Sequence, residues 1–353
     1  MWALKRKMQR NKPDFTAFLI LMLLSCFVCA AQVKEDEVQT AAAESSKAAL
    51  LQPRQFAAIA HDSAHKQFLL FGGTYGAQRF EDTWLLGESG WKEQTTKEGP
   101  SARISSSATY DSVHNEFVLF GGRVQKAKSE MCSPGTAPIH LKSEYFCSDT
   151  WVFAGGKWIK KAPETAPSPR EGHAMAFDAT RKEVVLFGGT AAGSSNPLSD
   201  TWIWNGTNWK QVHPAHHPPA RLWHSMAYDP VHREVVLFGG DSGAYFLNDT
   251  WLWNGTDWQE ARRQKVPPEV RTNAGLDYDA TKGKMVLFSG STWTPRRIGS
   301  LALDYWGWDG SEWKQLPSSE FKRISDFSKL TTAEASTATL ANGTPSVLRV
   351  PIK

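Results

Sequence analysis

The chain has 353 residues, 41% hydrophobic and 22% charged, a balance that excludes a disordered or collagen-like polypeptide and leaves ample material for a buried core. Its net charge of +4 has one source: Lys5, Arg6, Lys7, Arg10 and Lys12 against Asp14, after which the remainder is neutral. Charge therefore gives no support to a polyanion-binding surface, and no nucleic-acid partner is expected.

Residues 1–14 are polar and basic, 15–28 almost wholly apolar, and small residues follow at Ala30 and Ala31. This pattern predicts a secretory signal peptide over residues 1–30. The apolar run is shorter than the ~20 residues a spanning helix needs, so membrane attachment is expected only through an uncleaved signal or a lipid anchor. Leu23-Leu24-Ser25-Cys26 resembles a bacterial lipobox with Cys26 as the acylated residue, although Phe27-Val28-Cys29-Ala30-Ala31 stays apolar where a lipoprotein usually turns polar. The expected location is secreted, periplasmic or at the cell surface. Residues 31–52 are rich in Ala, Glu and Lys and read as a linker or short helix.

From residue 53 to 318 one unit is written five times. Phe71-Gly72-Gly73, Phe120-Gly121-Gly122, Phe187-Gly188-Gly189, Phe238-Gly239-Gly240 and the variant Phe288-Ser289-Gly290 recur at roughly 50 residues, with a longer interval after Gly122. An Asp-x-Trp follows each: Asp82/Trp84, Asp149/Trp151, Asp200/Trp202, Asp249/Trp251 and Asp304/Trp306. A further Trp closes each unit, at 91, 158, 209, 258 and 313. Each unit opens on an Arg followed by an Asp: Arg54/Asp62, Arg103/Asp111, Arg170/Asp178, Arg221/Asp229 and Arg271/Asp279.

The fourth copy shows the strands most clearly. Residues 222–228 form a first strand before an Asp229-Pro230 turn, 234–238 a second ended by Gly239-Gly240, and 250–253 a third before Asn254-Gly255. Trp258 opens a fourth strand running toward Pro267, with Asn-Gly supplying the positive φ that a tight hairpin needs. His224, Met226 and Tyr228 share one face of the first strand, and Ser225 and Ala227 the other. Large against small is what closely stacked sheets require, so these residues are assigned to the core. Four antiparallel strands repeated at this period predict an all-β propeller. Segment 319–353 carries candidate strands at 336–340 and 346–352, which favours a degenerate sixth blade over a five-bladed ring with an appendage.

Cys26 and Cys29 lie in the predicted signal, and the remaining Cys132 and Cys147 lie in one insertion. In an oxidising compartment such a pair predicts a disulfide stapling its own loop. His213, His216 and His217 sit in a proline-rich loop without a carboxylate at ligand spacing, so no metal and no cofactor is expected. Asn205, Asn248, Asn254 and Asn342 begin formal glycosylation sequons, and for the three that are Asn-Gly pairs turn chemistry is sufficient explanation.

The order Arg, His-x-Met-x-Tyr-Asp, Val-Leu-Phe-Gly-Gly, Asp-Thr-Trp and a later Trp resembles the kelch repeat of galactose-oxidase-like propellers. The resemblance spans 53–318 and implies a fold but scarcely a function, because such propellers bind proteins, bind sugars or carry enzymes. The copper-radical chemistry of galactose oxidase is not expected, since it needs a free cysteine and the Cys132/Cys147 pair is assigned to a disulfide.

In a four-stranded antiparallel blade the loop between strands two and three emerges beside the connection from one blade to the next. Candidate ligand residues on that rim are Tyr75 and Arg79, Arg123 with the disulfide loop, Tyr245 and Phe246, and Trp293, Arg296 and Arg297. Arg54, Arg103, Arg170, Arg221 and Arg271 form a candidate ring near the channel mouth, suited to carboxylates or sugar hydroxyls; a structural clamp is the competing role. The expected function is non-catalytic binding of a protein or glycan through this rim, with no catalytic residues assigned. The alternative is a sugar isomerase or mutarotase on the same fold. Trp251→Ala is expected to destabilise the chain, and Arg79→Ala to leave its melting temperature unchanged.

Overall fold

The computed structural model describes residues 51–351 apart from 53, 88, 127–130, 136–143, 195, 263–265, 295, 296, 303, 318–320 and 325–347. The expected signal, lipid anchor and most of the linker lie outside the described residues. The described chain is all β and contains no helix.

Five four-stranded antiparallel sheets follow one another, each with its strands in chain order. Sheet 1 comprises Ala58–Asp62, Gln67–Phe71, Thr83–Gly87 and Gly90–Gln94. Sheet 2 comprises Ser107–Asp111, Glu116–Phe120, Thr150–Ala154 and Lys157–Lys161. Sheet 3 holds Ala174–Asp178, Glu183–Phe187, Thr201–Trp204 and Trp209–Val212. Sheet 4 holds Ser225–Asp229, Glu234–Asp241, Phe246–Trp253 and Trp258–Glu260. Sheet 5 holds Gly275–Asp279, Lys284–Phe288, Tyr305–Trp308 and Trp313–Leu316.

Local chemistry explains these elements. The second strands are continuous apolar runs and are buried on both faces, as such runs predict. The turn before each is closed by the aspartate that ends the first strand: Asp229 Oδ accepts the N–H groups of Val231 at 2.9 Å and His232 at 3.2 Å. At the same end, Asn205 Oδ1 accepts the N–H groups of Thr207 and Asn208, and Asn254 does the same for Thr256 and Asp257. The first strand of sheet 4 starts at Ser225 rather than at 222, because Trp223 adopts φ 56° and breaks the extended run.

The first strands of sheets 1 to 5 lie side by side in sequence order, and their two faces do different work. Met226 packs toward sheet 3 with Val185, Phe187 and Ile203, whereas Ala227 packs toward sheet 5 with Leu276, Met285 and Trp306. The paired glycines let backbones approach closely: a Cβ on Gly188 would stand 2.5 Å from Arg221 O of the next unit, and one on Gly189 2.7 Å from Glu171 O of its own. Both have positive φ, at 66° and 91°, which glycine adopts without strain.

The seam between sheets 5 and 1 differs. His61 Nδ1 and Asp277 Oδ2 meet at 2.9 Å across it. Yet among the described residues the apolar faces on its two sides form separate clusters, Val286, Phe288 and Tyr305 on one and Ala57, Leu70 and Trp84 on the other. Downstream, Phe321–Ile324 pairs with Leu348–Pro351 as a two-stranded sheet. Among the described residues the C-terminal segment supplies only these two strands, not the four of a further blade-like sheet, and the predicted strand at 336–340 lies outside them.

Candidate functional site

The segment leading into each sheet pairs with the loop between that sheet's second and third strands. Arg103–Ile104 pairs with Arg123–Val124, Arg170–Glu171 with Thr190–Ala191, and Arg271–Thr272 with Ser291–Thr294. Single bridges join Gln55 to Thr74 and Leu222 to Asp241. The two classes of loop therefore share one edge in all five units, and this edge is the candidate binding rim.

The five arginines at this edge are clamps. Arg103 Nη1 and Nη2 donate to the two carboxylate oxygens of Asp149 at 2.7 and 2.9 Å, Nη1 also reaches Gly121 O at 2.8 Å, and Nε reaches Ser101 O. Arg170 makes the same set with Asp200 and Gly188, Arg221 with Asp249 and Gly239, and Arg271 with Asp304 and Ser289. Arg54 pairs with Asp82 and Gly72 and lies over the Phe80 ring. All five are buried, and each acid belongs to the same unit as its arginine. Of the two roles the sequence left open, the structural one accounts for every bond these guanidiniums make here. Burial works to raise the Asp149 carboxyl, but Arg103 and the Trp151 indole N–H outweigh it and hold it below its ordinary range.

A buried chain of charge ties the rim loops together. Arg79 Nη2 donates to both oxygens of Glu144 at 2.5 and 2.7 Å, and Arg79 Nη1 donates to Arg123 O. Arg123 Nε lies 3.2 Å from Glu144 and 3.1 Å from Glu171, as charge contacts rather than aligned hydrogen bonds. Burial pushes the Glu171 carboxyl upward, opposed by Arg123 and reinforced by Glu144. Arg79, expected on an open rim, is thus a half of a buried pair whose side chains are 9% and 12% exposed. Its expected neutrality to substitution is revised accordingly. Cys132 and Cys147 form the expected disulfide, on neighbouring strands of this insertion, and a disulfide is compatible with an extracellular location.

Tyr75 and Tyr245 remain exposed, at 60% and 66%. Tyr75 lies in a two-stranded tip, Thr74–Tyr75 with Gln78–Arg79, and Tyr245 closes a turn onto Ser242. Phe246 is half-buried beside it. Trp293 lies in the strand Ser291–Thr294 and Arg297 begins Arg297–Leu301, while Arg296 lies outside the described residues.

One row of residues at this edge has no counterpart among the candidates drawn from the sequence. The second residue after each arginine has positive φ: Phe56, Ser105, Gly172, Trp223 and Asn273. Their backbones chain the units together, with N–H to C=O bonds from Ser105 to Phe56, Gly172 to Ser105, Trp223 to Gly172 and Asn273 to Trp223, at 2.7–3.0 Å. The conformation is demanded by the backbone, and it is adopted even by Phe56 and Trp223, for which it is strained. Only Gly172 hints at it in the sequence.

Three further histidines are accounted for by their surroundings, one by a carboxylate and two by aromatic rings. His216 Nδ1 meets Asp257 Oδ2 at 2.7 Å on the surface, and that hydrogen bond holds the Asp257 carboxyl below its ordinary range. His173 and His224 are buried against Phe120 and Phe187. No known family model and no curated protein sequence matches the chain.

Proposed function

We propose that the five sheets are blades of a kelch-type propeller and that the chain is an exported, non-catalytic binding module whose ligand contacts the loop-rich rim. The basic and apolar N-terminal segment and the Cys132–Cys147 disulfide support export. The separate apolar clusters on the two sides of the seam between sheets 5 and 1, with a two-stranded sheet from the C-terminal segment, support five full blades and a rudimentary sixth.

One observation carries the functional reading. The side chains Arg79, Glu144, Arg123 and Glu171 are engaged with one another, leaving Tyr75 and Tyr245 as the large aromatics the rim exposes among the described residues. Exposed aromatics on a charge-balanced surface suit the faces of sugar rings, which stack on aromatic planes and need no net charge. The ligand class is therefore a neutral glycan.

A glycan array with the full chain, Tyr75→Ala and Tyr245→Ala tests this reading. Binding should fall at least tenfold in each variant, while the melting temperature stays within a degree. Turnover of a sugar anomer would replace the non-catalytic reading with the isomerase alternative. A blank array with a stoichiometric protein captured on the rim would make the ligand a protein.

A further inference from the structure

The end of the sheets opposite the rim carries a second constellation. Asp111, His114 and Glu116 sit on the turn between the first and second strands of sheet 2, and each offers one ligating atom within 4.8 Å of the other two. Among the described residues no other three His, Cys, Asp or Glu side chains converge in this way. Asp111 and Glu116 are buried, at 1% and 7%. Asp111 Oδ2 stands 2.7 Å from His114 Nδ1, and Lys161 Nζ lies 3.5 Å from Glu116 Oε2.

Glu116 Oε1 is the telling atom. It is sealed from solvent and has no hydrogen-bond partner, on a side chain that is 9% exposed. A buried carboxylate oxygen without a donor is costly, and a cation beside it would resolve the cost. Sheet 4 supplies an internal comparison. Asp229, His232 and Glu234 repeat the same residues at the same spacing, with His232 Nδ1 2.8 Å from Asp229 Oδ2. There Glu234 is only half-buried, its oxygens are not orphaned, and the trio does not converge.

We propose that Asp111, His114 and Glu116 form a divalent transition-metal site, with Zn²⁺, which both carboxylate and imidazole ligate, as its ion. Ligands bonded at about 2.1 Å in a tetrahedral site stand roughly 3.4 Å apart, within the span of this trio. Binding replaces the hydrogen bond between His114 and Asp111: His114 coordinates through Nδ1 and carries its proton on Nε2. Three protein ligands leave a fourth position for water. The ion would also brace the seam to sheet 3, because the Asn205-Gly206 turn lies against the His114 ring, where a Cβ on Gly206 would be 2.6 Å from Cε1. Lys161 opposes the ion electrostatically, so its removal should favour binding.

The test is Zn²⁺ titration of the chelator-treated full chain by calorimetry, with Co²⁺ absorption as a readout of coordination. One ion should bind, raise the melting temperature, and be lost in Glu116→Gln and in His114→Gln. His232→Gln and His216→Gln should leave the stoichiometry unchanged, and Lys161→Met should tighten binding several-fold. Circular dichroism confirms that each variant folds. The proposal is overturned if no stoichiometric ion binds, or if binding survives Glu116→Gln and disappears with His232→Gln or His216→Gln.

Discussion

Trp258 donates its indole N–H to the Thr201 hydroxyl, 3.0 Å away, across the seam between sheets 4 and 3. The same bond recurs from Trp158 to Thr83, Trp209 to Thr150 and Trp313 to Thr250. Every one joins a unit's last tryptophan to the threonine between the Asp and Trp of the Asp-x-Trp in the unit before it. At the remaining seam the equivalent tryptophan, Trp91, is half-buried with its indole N–H sealed from solvent and without a hydrogen-bond partner, and the residue in the threonine's place is Tyr305.

Thr201→Val should therefore cost about 1–3 kcal/mol, because it leaves the buried Trp258 N–H unsatisfied at nearly constant volume. Urea denaturation measures this. A loss below a few tenths of a kcal/mol would mean that the indole bonds are incidental to the packing.

Trp258→Ala should cost about 3–5 kcal/mol, since that side chain is 1% exposed and packs on Phe187 and Trp253. Trp251→Ala should cost less than the sequence led one to expect, because Trp251 is only half-buried. The ranking of the two midpoints checks the assignment.

Arg103→Ala should cost about 3–5 kcal/mol, because Asp149 would stay behind as a buried, unpaired charge. Arg79→Ala should cost about 2–3 kcal/mol through its bonds to Glu144. If Arg79→Ala melts like the wild type, the charge chain on the rim contributes nothing.

Acid should act in two windows. Burial, reinforced by the Arg170 charge, lowers the His173 pKa to about 3, and burial next to Arg221 lowers that of His224 well below its ordinary value. In both cases the unfolded chain binds the proton first. Stability is thus full above the unfolded value of about 6.5 and falls below it, by up to about 1.4 kcal/mol per pH unit for each histidine. The clamped Asp149, Asp200 and Asp304 are held below their ordinary range, so their contribution persists down to about pH 4 and is lost only below it. Urea midpoints from pH 7 to 3 should show the first slope, and His173→Leu should remove about one proton from it. An unchanged slope in that variant would place the acid sensitivity elsewhere.

The repeats were legible because their contacts are written with fixed spacing. Asp-x-Trp places an indole N–H on its own aspartate, as Trp202 does on Asp200 at 2.7 Å, and the glycine pair marks where a neighbouring carbonyl passes. Residues 53–318 thus carried their sheet pattern, their core and their disulfide in plain sequence. The rim was legible only as a location. Arg79 and the five unit-opening arginines were named from the sequence, but the acids that claim Arg79 and Arg123 were invisible: Glu144 lies in a non-repeated insertion and Glu171 occupies a variable position.

Sequence by itself determined which residues repeat, and therefore which strands form and how large and small faces alternate, since these follow from side-chain volume and backbone conformation within one unit. Tertiary structure alone decided which charges remain available and which groups converge. Asp-x-x-His-x-Glu occurs at both 111–116 and 229–234, yet only the first closes on itself. Lys161 reaches over Glu116, whereas Ala261 occupies the matching place in sheet 4. Burial and convergence depend on neighbours that no local pattern encodes.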